Sequence, residues 1–543
     1  MRQHRVNLII IAGLILLGLV ILRSFLLPGF PQTHDSFHHL ARLANLNLAW
    51  HDHHFPFRWA ANLNHGFGLP IFNFYYYLLE LLAFIPMKLG LTIENSLKLV
   101  TIISYLGAAT VWFIWLKPKL GRLAAAAAGV FSLTAIYPLS VLLIRGAYGE
   151  TLAYFLLVVN FYLLDRLIKR PGRLNYLLAV GALSAFLLAH NITAMFGLPL
   201  LVISAFLKGR FKTALVFVNS IGLTLFFWLP LILERSFTYF DSITSGNELF
   251  NHFPTLGQLI YMPWSFGFSA PGSGDTMSFT LGPIHWLIIL LAFLGFFSAK
   301  SRPALGRHWF FFVSFIAFVF LALPISAWFW RLFPILNFVQ FPWRLVLFLS
   351  LLGSYLSALA AKAYPKLTVG LLAAATIFTL VTVRDQGHFN WPDDFYYHYP
   401  FTTTTQLEAM PKWFDTAKNA ELYGRLEKVF SLSNQEVKTE QVAWSTQKHS
   451  YQVSLASEDQ LFERTAYFPG WEVTVDGEKQ EVIKDNQIYP GLIGYSVPSG
   501  SHNVVTTFSD STPARRIGDA VSLISLAALV LTLVFYPKEQ KDH

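Results

Sequence analysis

Between Pro31 and Trp59 the chain reads PQTHDSFHHLARLANLNLAWHDHHFPFRW, which packs six histidines, two aspartates and two arginines into a sequence otherwise built of Leu, Phe and Ala. A carboxylate in such company can take a proton from a hydroxyl, and cationic neighbours can hold a phosphate. Read as a helix from Thr33, with Thr33 as N-cap, the i, i+3, i+4, i+7 spacing puts Asp35, His38, His39, Arg42 and Asn45 on one face. Phe37, Leu40, Ala41, Ala44 and Leu48 take the other, so the helix is expected to lie in the membrane interface with its polar face toward a groove. Asp35 also reads simply as a helix-start carboxylate favoured by the helix dipole. His51, His53 and His54 match no standard zinc spacing and read as a solvated loop.

A second acid stands in LLIRGAYGETLAYF, where Arg145 and Glu150 flank a short turn that Gly146 and Gly149 allow to bend tightly. The pair reads either as a base with a phosphate clamp or as an ion pair closing a hairpin. NFVQFPWRLV puts Gln340 and Arg344 at the outer start of a later apolar run, and LLAHNITAMF puts His190 and Asn191 at a helix end, where they also fit a capping pair. Arg58 closes the first stretch and joins His38, His39, Arg42, Arg145, His190, Gln340 and Arg344 as a substrate-binding candidate.

These groups need a frame, and composition defines it. Of 543 residues, 54% are hydrophobic and 13% charged, with a mean hydropathy of +0.47; soluble domains carry about 25% charged residues. The chain is a polytopic membrane protein. Its net charge of +9 lies in short loops between apolar runs and gives no ground for a nucleic-acid partner. There is no cysteine, which excludes disulfides, thiolate catalysis and cysteine-ligated zinc. Met1–Arg5 followed by Asn7–Leu27 reads as a retained first helix.

Runs long enough to span occur at 7–27, 96–116, 123–143, 150–168, 174–190, 192–207, 213–232, 283–299, 308–326, 344–361, 367–383 and 517–536. The apolar stretch PIFNFYYYLLELLAFIPMKLG, from Pro70 to Gly90, is expected to dip into the outer interface rather than cross. Only then do the loops holding Lys117/Lys119/Arg122, Lys169/Arg170/Arg173, Lys208/Arg210/Lys212, Lys300/Arg302/Arg307 and Lys362/Lys366 share a side with both termini. The expectation is about twelve spans in the plasma (inner) membrane, with cytoplasmic termini. Ionisable residues gather at the outer ends of the spans, so no ion path through the core is expected.

This threading leaves 28–95, 233–282, 327–343 and 384–516 outside. Residues 440–508 alternate apolar and polar between turns such as Asp476-Gly477 and read as a small β-sandwich, and Gln406–Asn419 reads as helical. The domain plan is a bundle over 1–383 with interfacial helices in loop 28–95, an extracytoplasmic β-rich domain over 384–516, and a last helix with its tail over 517–543.

The motifs THDSFHHL, PIFNFYYYLLELL, RGAYGE, FPWR and YFPGWEVTVDG…GLIGYSVPSGSHNV together give the chain a resemblance to the lipid-phosphate-sugar glycosyltransferases of the GT-C fold. Within these it resembles the bacterial YfhO-like membrane proteins, some of whose relatives carry a 6-pyruvoyl-tetrahydropterin-synthase-related label; no soluble pterin fold is visible in the sequence. The resemblance implies an inverting transfer from a polyprenyl-phosphate sugar to a cell-surface glycan, lipid or protein acceptor outside the cell. It makes Asp35 the first-loop acid, acting as general base or in metal-assisted positioning, Glu150 the second-loop acid, and Arg145 and Arg344 the phosphate-binding arginines. Many relatives carry paired acids in the first loop, whereas here His34 precedes a single Asp35. Use of a divalent ion (Mg or Mn), which would fall to Asp35 and His38, therefore stays open.

Two other classes compete. A lipid-linked-sugar transporter or flippase would show repeated halves and midplane polar sites, which the sequence lacks. A non-catalytic scaffold with a glycan-binding β-domain would not need so many spans or paired acids at a cationic rim.

Overall fold

The computed structural model describes residues 2–207, 213–241, 247–272, 274–298, 308–404 and 407–537. The basic runs at Lys208–Lys212, Lys300–Arg307 and Lys538–Lys541 lie outside these residues.

Each of the apolar runs coincides with a helix or a bent helix pair. Among the described residues six helices are long and apolar enough to cross a membrane, or up to nine if each bent pair counts as one span. Arg173–Ala189, Asn191–Phe206 and Pro283–Phe297 are apolar but shorter. The bends have local causes. Trp309–Ala322 turns by 87° at Leu323, which precedes Pro324 and is therefore driven out of the helical region to φ −96°, ψ 154°. Arg122–Thr134 breaks at extended Ala135 and continues through Ile136–Ser140 into a π-helical turn, Val141–Arg145. At the centre lies Val346–Ala363, buried along almost its whole length. Its serines tolerate that burial because Ser350 and Ser354 each donate to the carbonyl four residues back, at 2.9 and 2.8 Å.

The loop between the first two apolar runs departs from the expected interfacial helix. Ser36–His51 forms, but eleven of its residues are buried on all sides, packed against Leu78–Lys88, Asp393–Tyr397 and Ile93–Leu120. Protein covers most of its apolar face, with Leu40, Ala41 and Ala44 fully buried. Thr33 is not its N-cap: Asp35 occupies that position, and its side chain makes no capping bond. The Pro70–Gly90 stretch forms two short helices, Ile71–Phe74 and Leu78–Lys88, neither long enough to span.

Downstream of the bundle, strands Lys438–Trp444, Lys448–Leu455, Gly500–Phe508, Trp471–Val475 and Glu478–Gln480 form one antiparallel sheet in that order. Val429–Ser431, Asp459–Ala466 and Leu492–Val497 form a second. Glu463 of the second sheet reaches His449 (2.6 Å) and Tyr451 (2.8 Å) of the first, so the two sheets face one another. The expected helix at Gln406–Asn419 does not form over its described part, Leu407–Asn419, which runs as turns into the 3₁₀ segment Lys418–Leu422. This region is tied to the first loop. Phe30–Pro31 pairs with His388–Phe389, and His54 and Asp52 bond Thr446 at 2.9 and 2.6 Å. His54 and Asp52 are thus docking contacts, while His51 and His53 are exposed as a solvated loop would have them.

Candidate active site

A cavity of about 750 Å³ opens where the first loop, the helix ends near Arg145, His190 and Arg344, and the segment around Thr403 meet. Asp35, His38, His39, Arg42, Arg145, His190, Gln340 and Arg344 all line it. Residues drawn from positions as far apart as 35 and 344 therefore face one space.

The π-helical turn and Gly146 bring the first two of these segments together. Gly146 adopts φ +72°, and its Cα lies so close to the first loop that an added Cβ would sit 2.0 Å from Thr33 Oγ1. Across this contact the backbone N–H groups of His34 and Asp35 donate to the carbonyls of Ile144 and Arg145, at 3.0 and 2.9 Å. Asp35 is thereby registered against Arg145. Among the described residues its carboxylate makes no hydrogen bond or ion pair.

Arg145 and Glu150 form a buried ion pair of 2.7 Å, and Tyr137 donates to the other Glu150 oxygen at 2.9 Å. Glu150 is 1% exposed and does not reach the cavity wall. This corrects its expected place facing substrate: a buried carboxylate must collect donors, and here they are Arg145, itself a wall residue, and Tyr137. Arg145 itself lies over the Trp343 ring, 4.9 Å from its centroid.

Arg344 has no carboxylate partner among the described residues. One of its terminal nitrogens donates to Val339 O at 2.9 Å, and its Nε is buried without a partner. Val339 O also accepts from Phe341 N at 2.7 Å, which closes a γ-turn around Gln340 at φ +61°, ψ −43°. That turn is rare and strained for a non-glycine residue, and it forms part of the cavity wall.

The remaining candidates divide. His38 lines the cavity with a buried, unpartnered Nδ1; burial pushes its imidazole down to about 4, so it is neutral at neutral pH. His39 Nδ1 meets Glu80 at 2.7 Å. His190 Nδ1 accepts from the Thr193 backbone N–H at 3.2 Å. Arg42 is held by Thr403, through Oγ1 at 3.0 Å and the carbonyl at 2.5 Å, and stacks on Tyr75. Arg58 lies elsewhere. It pairs with Asp510 (2.5 Å) and Asp519 (3.0 Å) and donates to Asn73 and Phe226, clamping the last helix to the first loop. It does not line the cavity, so its expected role as a ligand contact is corrected to a structural one.

Sequence reading missed several wall residues. Glu408, which accepts from Tyr75, comes from the segment expected to be helical, and Thr403 and Thr404 stand just before it. Tyr75 and Tyr76, expected as interfacial aromatics, line the cavity as well. The Thr-rich run Thr402–Thr405 was visible as a composition change, but nothing local tied it to Asp35.

Four arginines (Arg42, Arg145, Arg235, Arg344) and two carboxylates (Asp35, Glu408) line the cavity, giving it a cationic character. The opposite wall is apolar, built by Met195, Leu198 and Pro199 on one helix, Leu225, Trp228 and Ile232 on another, and Ile335 and Phe338. Ile221, Ile232 and Ile335 belong to this wall and are 41%, 49% and 56% exposed, so it continues to the outer, apolar surface of the bundle.

Among the described residues no three or more His, Cys, Asp or Glu side chains are grouped to hold an ion. Magnesium and manganese need several oxygen donors, and Asp35 with His38 supplies one carboxylate and one imidazole. The residues present do not fit such an ion.

No family model matches the chain, and no curated protein does. Among solved structures it is similar to the Archaeoglobus fulgidus oligosaccharyltransferase in its apo form, with a TM-score of 0.37 and 13% identity over 78% of this chain and 60% of that one. The chain thus spans less than two thirds of that protein's length, and a likeness of this depth assigns neither family nor chemistry.

Proposed function

We propose that this membrane protein transfers a sugar from a polyprenyl-phosphate carrier to a hydroxyl of an extracytoplasmic acceptor, be it a surface glycan, a lipid or a protein. The observation that carries the reading is one cavity holding a carboxylate, Asp35, and a guanidinium, Arg344, neither with an ion-pair partner among the described residues, against an apolar wall that runs to the exposed surface of the bundle.

In this reading the polyprenyl chain lies along the apolar wall, and its phosphate faces Arg344 and Arg145. Asp35 takes the proton of the acceptor hydroxyl as that oxygen attacks the anomeric carbon. The bond from that carbon to the phosphate oxygen breaks, and its electron pair leaves on the phosphate. Cations already fixed in a water-poor cavity stabilise the charge that appears there. A single displacement inverts the anomeric centre. Glu150 keeps Arg145 charged and in place, and no step passes through a metal. The bundle then contributes about twelve spans, counting the three shorter helices, with cytoplasmic termini and the cavity at the outer rim. The two facing sheets act as one β-sandwich within 384–516, ahead of the last helix and tail at 517–543.

Mass spectrometry of surface glycans and lipid-linked sugars, with and without the gene, tests the transfer. A missing decoration together with accumulated lipid-phosphate sugar is expected; unchanged glycans would refute it. In the purified protein, Asp35→Asn is expected to lower transfer about 10²–10⁴-fold with the fold intact. A wild-type rate in that variant would remove Asp35 from the reaction.

A further inference from the structure

Glu80 has no task in the transfer described above. It sits in the apolar helix Leu78–Lys88, is fully buried, and its Oε1 lies 2.7 Å from His39 Nδ1 while Oε2 has no partner. A buried carboxylate with a single partner is strongly disfavoured unless the pair is neutral as a whole. An acid protonated on Oε2 would leave that hydroxyl buried without an acceptor, which leaves two neutral forms: carboxylate with imidazolium, or carboxylic acid donating from Oε1 to the Nδ1 of a neutral imidazole. In both forms the ring proton remains on Nε2. His39 lines the cavity, so the nitrogen left free by Glu80 is an N–H donor.

His190 repeats this arrangement by other means. Its Nδ1 lies 2.7 Å from the Thr193 hydroxyl, which can donate or accept, and 3.2 Å from the Thr193 backbone N–H, which can only donate; accepting that backbone bond leaves the ring proton on Nε2. The two imidazoles flank the Tyr76 ring, with centroids 6.4 and 4.7 Å from it for His39 and His190. Both line the same cavity as Arg344.

We infer that His39 and His190 present two preset Nε2–H donors to the phosphate oxygens of the lipid-linked donor, and that Glu80 is the positioning residue that sets the first of them. Phosphate oxygens only accept, so fixed N–H groups beside an unpaired arginine suit them. A histidine free to exchange tautomers would offer a lone pair to the same oxygens in one of its two neutral forms. The inference rests on the proposed transfer for the identity of its ligand.

The test is binding of a short-chain polyprenyl phosphate to the full-length protein in detergent, with the matching polyprenol as control. His39→Asn keeps a donor toward Glu80 and loses the one toward the cavity; His39→Gln can place its amide near the Nε2 position. The phosphate is expected to bind about tenfold to a hundredfold more weakly to His39→Asn, with substantial recovery in His39→Gln and no change in polyprenol binding. Glu80→Ala should resemble His39→Asn; should it fail to fold, the two His39 variants still decide. Equal phosphate binding by wild type and His39→Asn would overturn the inference. So would an equal loss for polyprenol, or a wild type that binds no polyprenyl phosphate. A wild type that binds the phosphate with this pattern but transfers no sugar would refute the transferase reading alone.

Discussion

Replacing Gly146 by alanine tests whether the contact between the first loop and the π-helical turn builds the site. Gly146 holds φ +72°, a conformation that costs an L-residue about 1–2 kcal/mol. Its new Cβ would also lie 2.0 Å from Thr33 Oγ1 and 3.2 Å from Ser36 N. Thr33 would have to retreat by roughly 1.4 Å to reach ordinary contact, pulling on the two backbone bonds that register His34 and Asp35 against Ile144 and Arg145. Overpacking of this kind adds about 1–3 kcal/mol, so the total expected loss is about 2–5 kcal/mol. Gly121 supplies the control, since it holds φ +92° with nothing within 4 Å of an added Cβ. At φ +92°, ψ 168° it lies in a region essentially restricted to glycine, so Gly121→Ala should lose about 1–3 kcal/mol, from strain alone, and keep full transfer. The assay is reversible unfolding in mixed micelles alongside transfer by the folded fraction. If the two variants are equally stable and equally active, the contact at Gly146 does not position Asp35.

Three further predictions follow from the same geometry. Glu150→Gln strands a buried guanidinium and should lower unfolding free energy by about 3–5 kcal/mol; an inactive variant of unchanged stability would instead make Glu150 a chemical participant. His38 is held at about 4 against 6.5 when free, so the unfolded chain binds a proton in that interval that the folded chain does not. Stability should therefore fall as pH drops from 6.5 toward 4, by about 3 kcal/mol from this group, and a His38→Gln variant should show a flatter acid limb in pH-dependent unfolding. Leu198→Trp, placed on the apolar wall, should raise KM for a long-chain donor while leaving a short-chain, water-soluble analogue unaffected; equal effects on both would move the lipid tail elsewhere.

Much was legible before any coordinates, for a common physical reason. Runs of apolar residues form helices in a membrane whatever surrounds them, because lipid leaves the backbone no other partner. Each predicted run is accordingly a helix or a bent pair, and Pro324 marks one of the bends. Alternation over 440–508 gave strands for the equally local reason that side chains on a strand point to opposite faces. Clustering of charge at the ends of the apolar runs pointed to Arg145, His190 and Arg344, and the polar face of the first loop pointed to Asp35; all four line one cavity.

What the sequence could not assign was the partner of each charge. Glu150 and Arg145 are five residues apart either way, and only packing shows that the acid is spent behind the wall while Asp35 stays without a partner. Arg58 resembles a ligand residue until Asp510 and Asp519, more than 450 positions later, close on it. Glu80 lies in an apolar helix with no local motif, and its meaning comes from His39, 41 residues earlier. Helix and strand formation are short-range and follow from neighbours in the chain. The protonation, orientation and freedom of a buried charge depend on which distant groups fold against it, and that is set by tertiary structure alone.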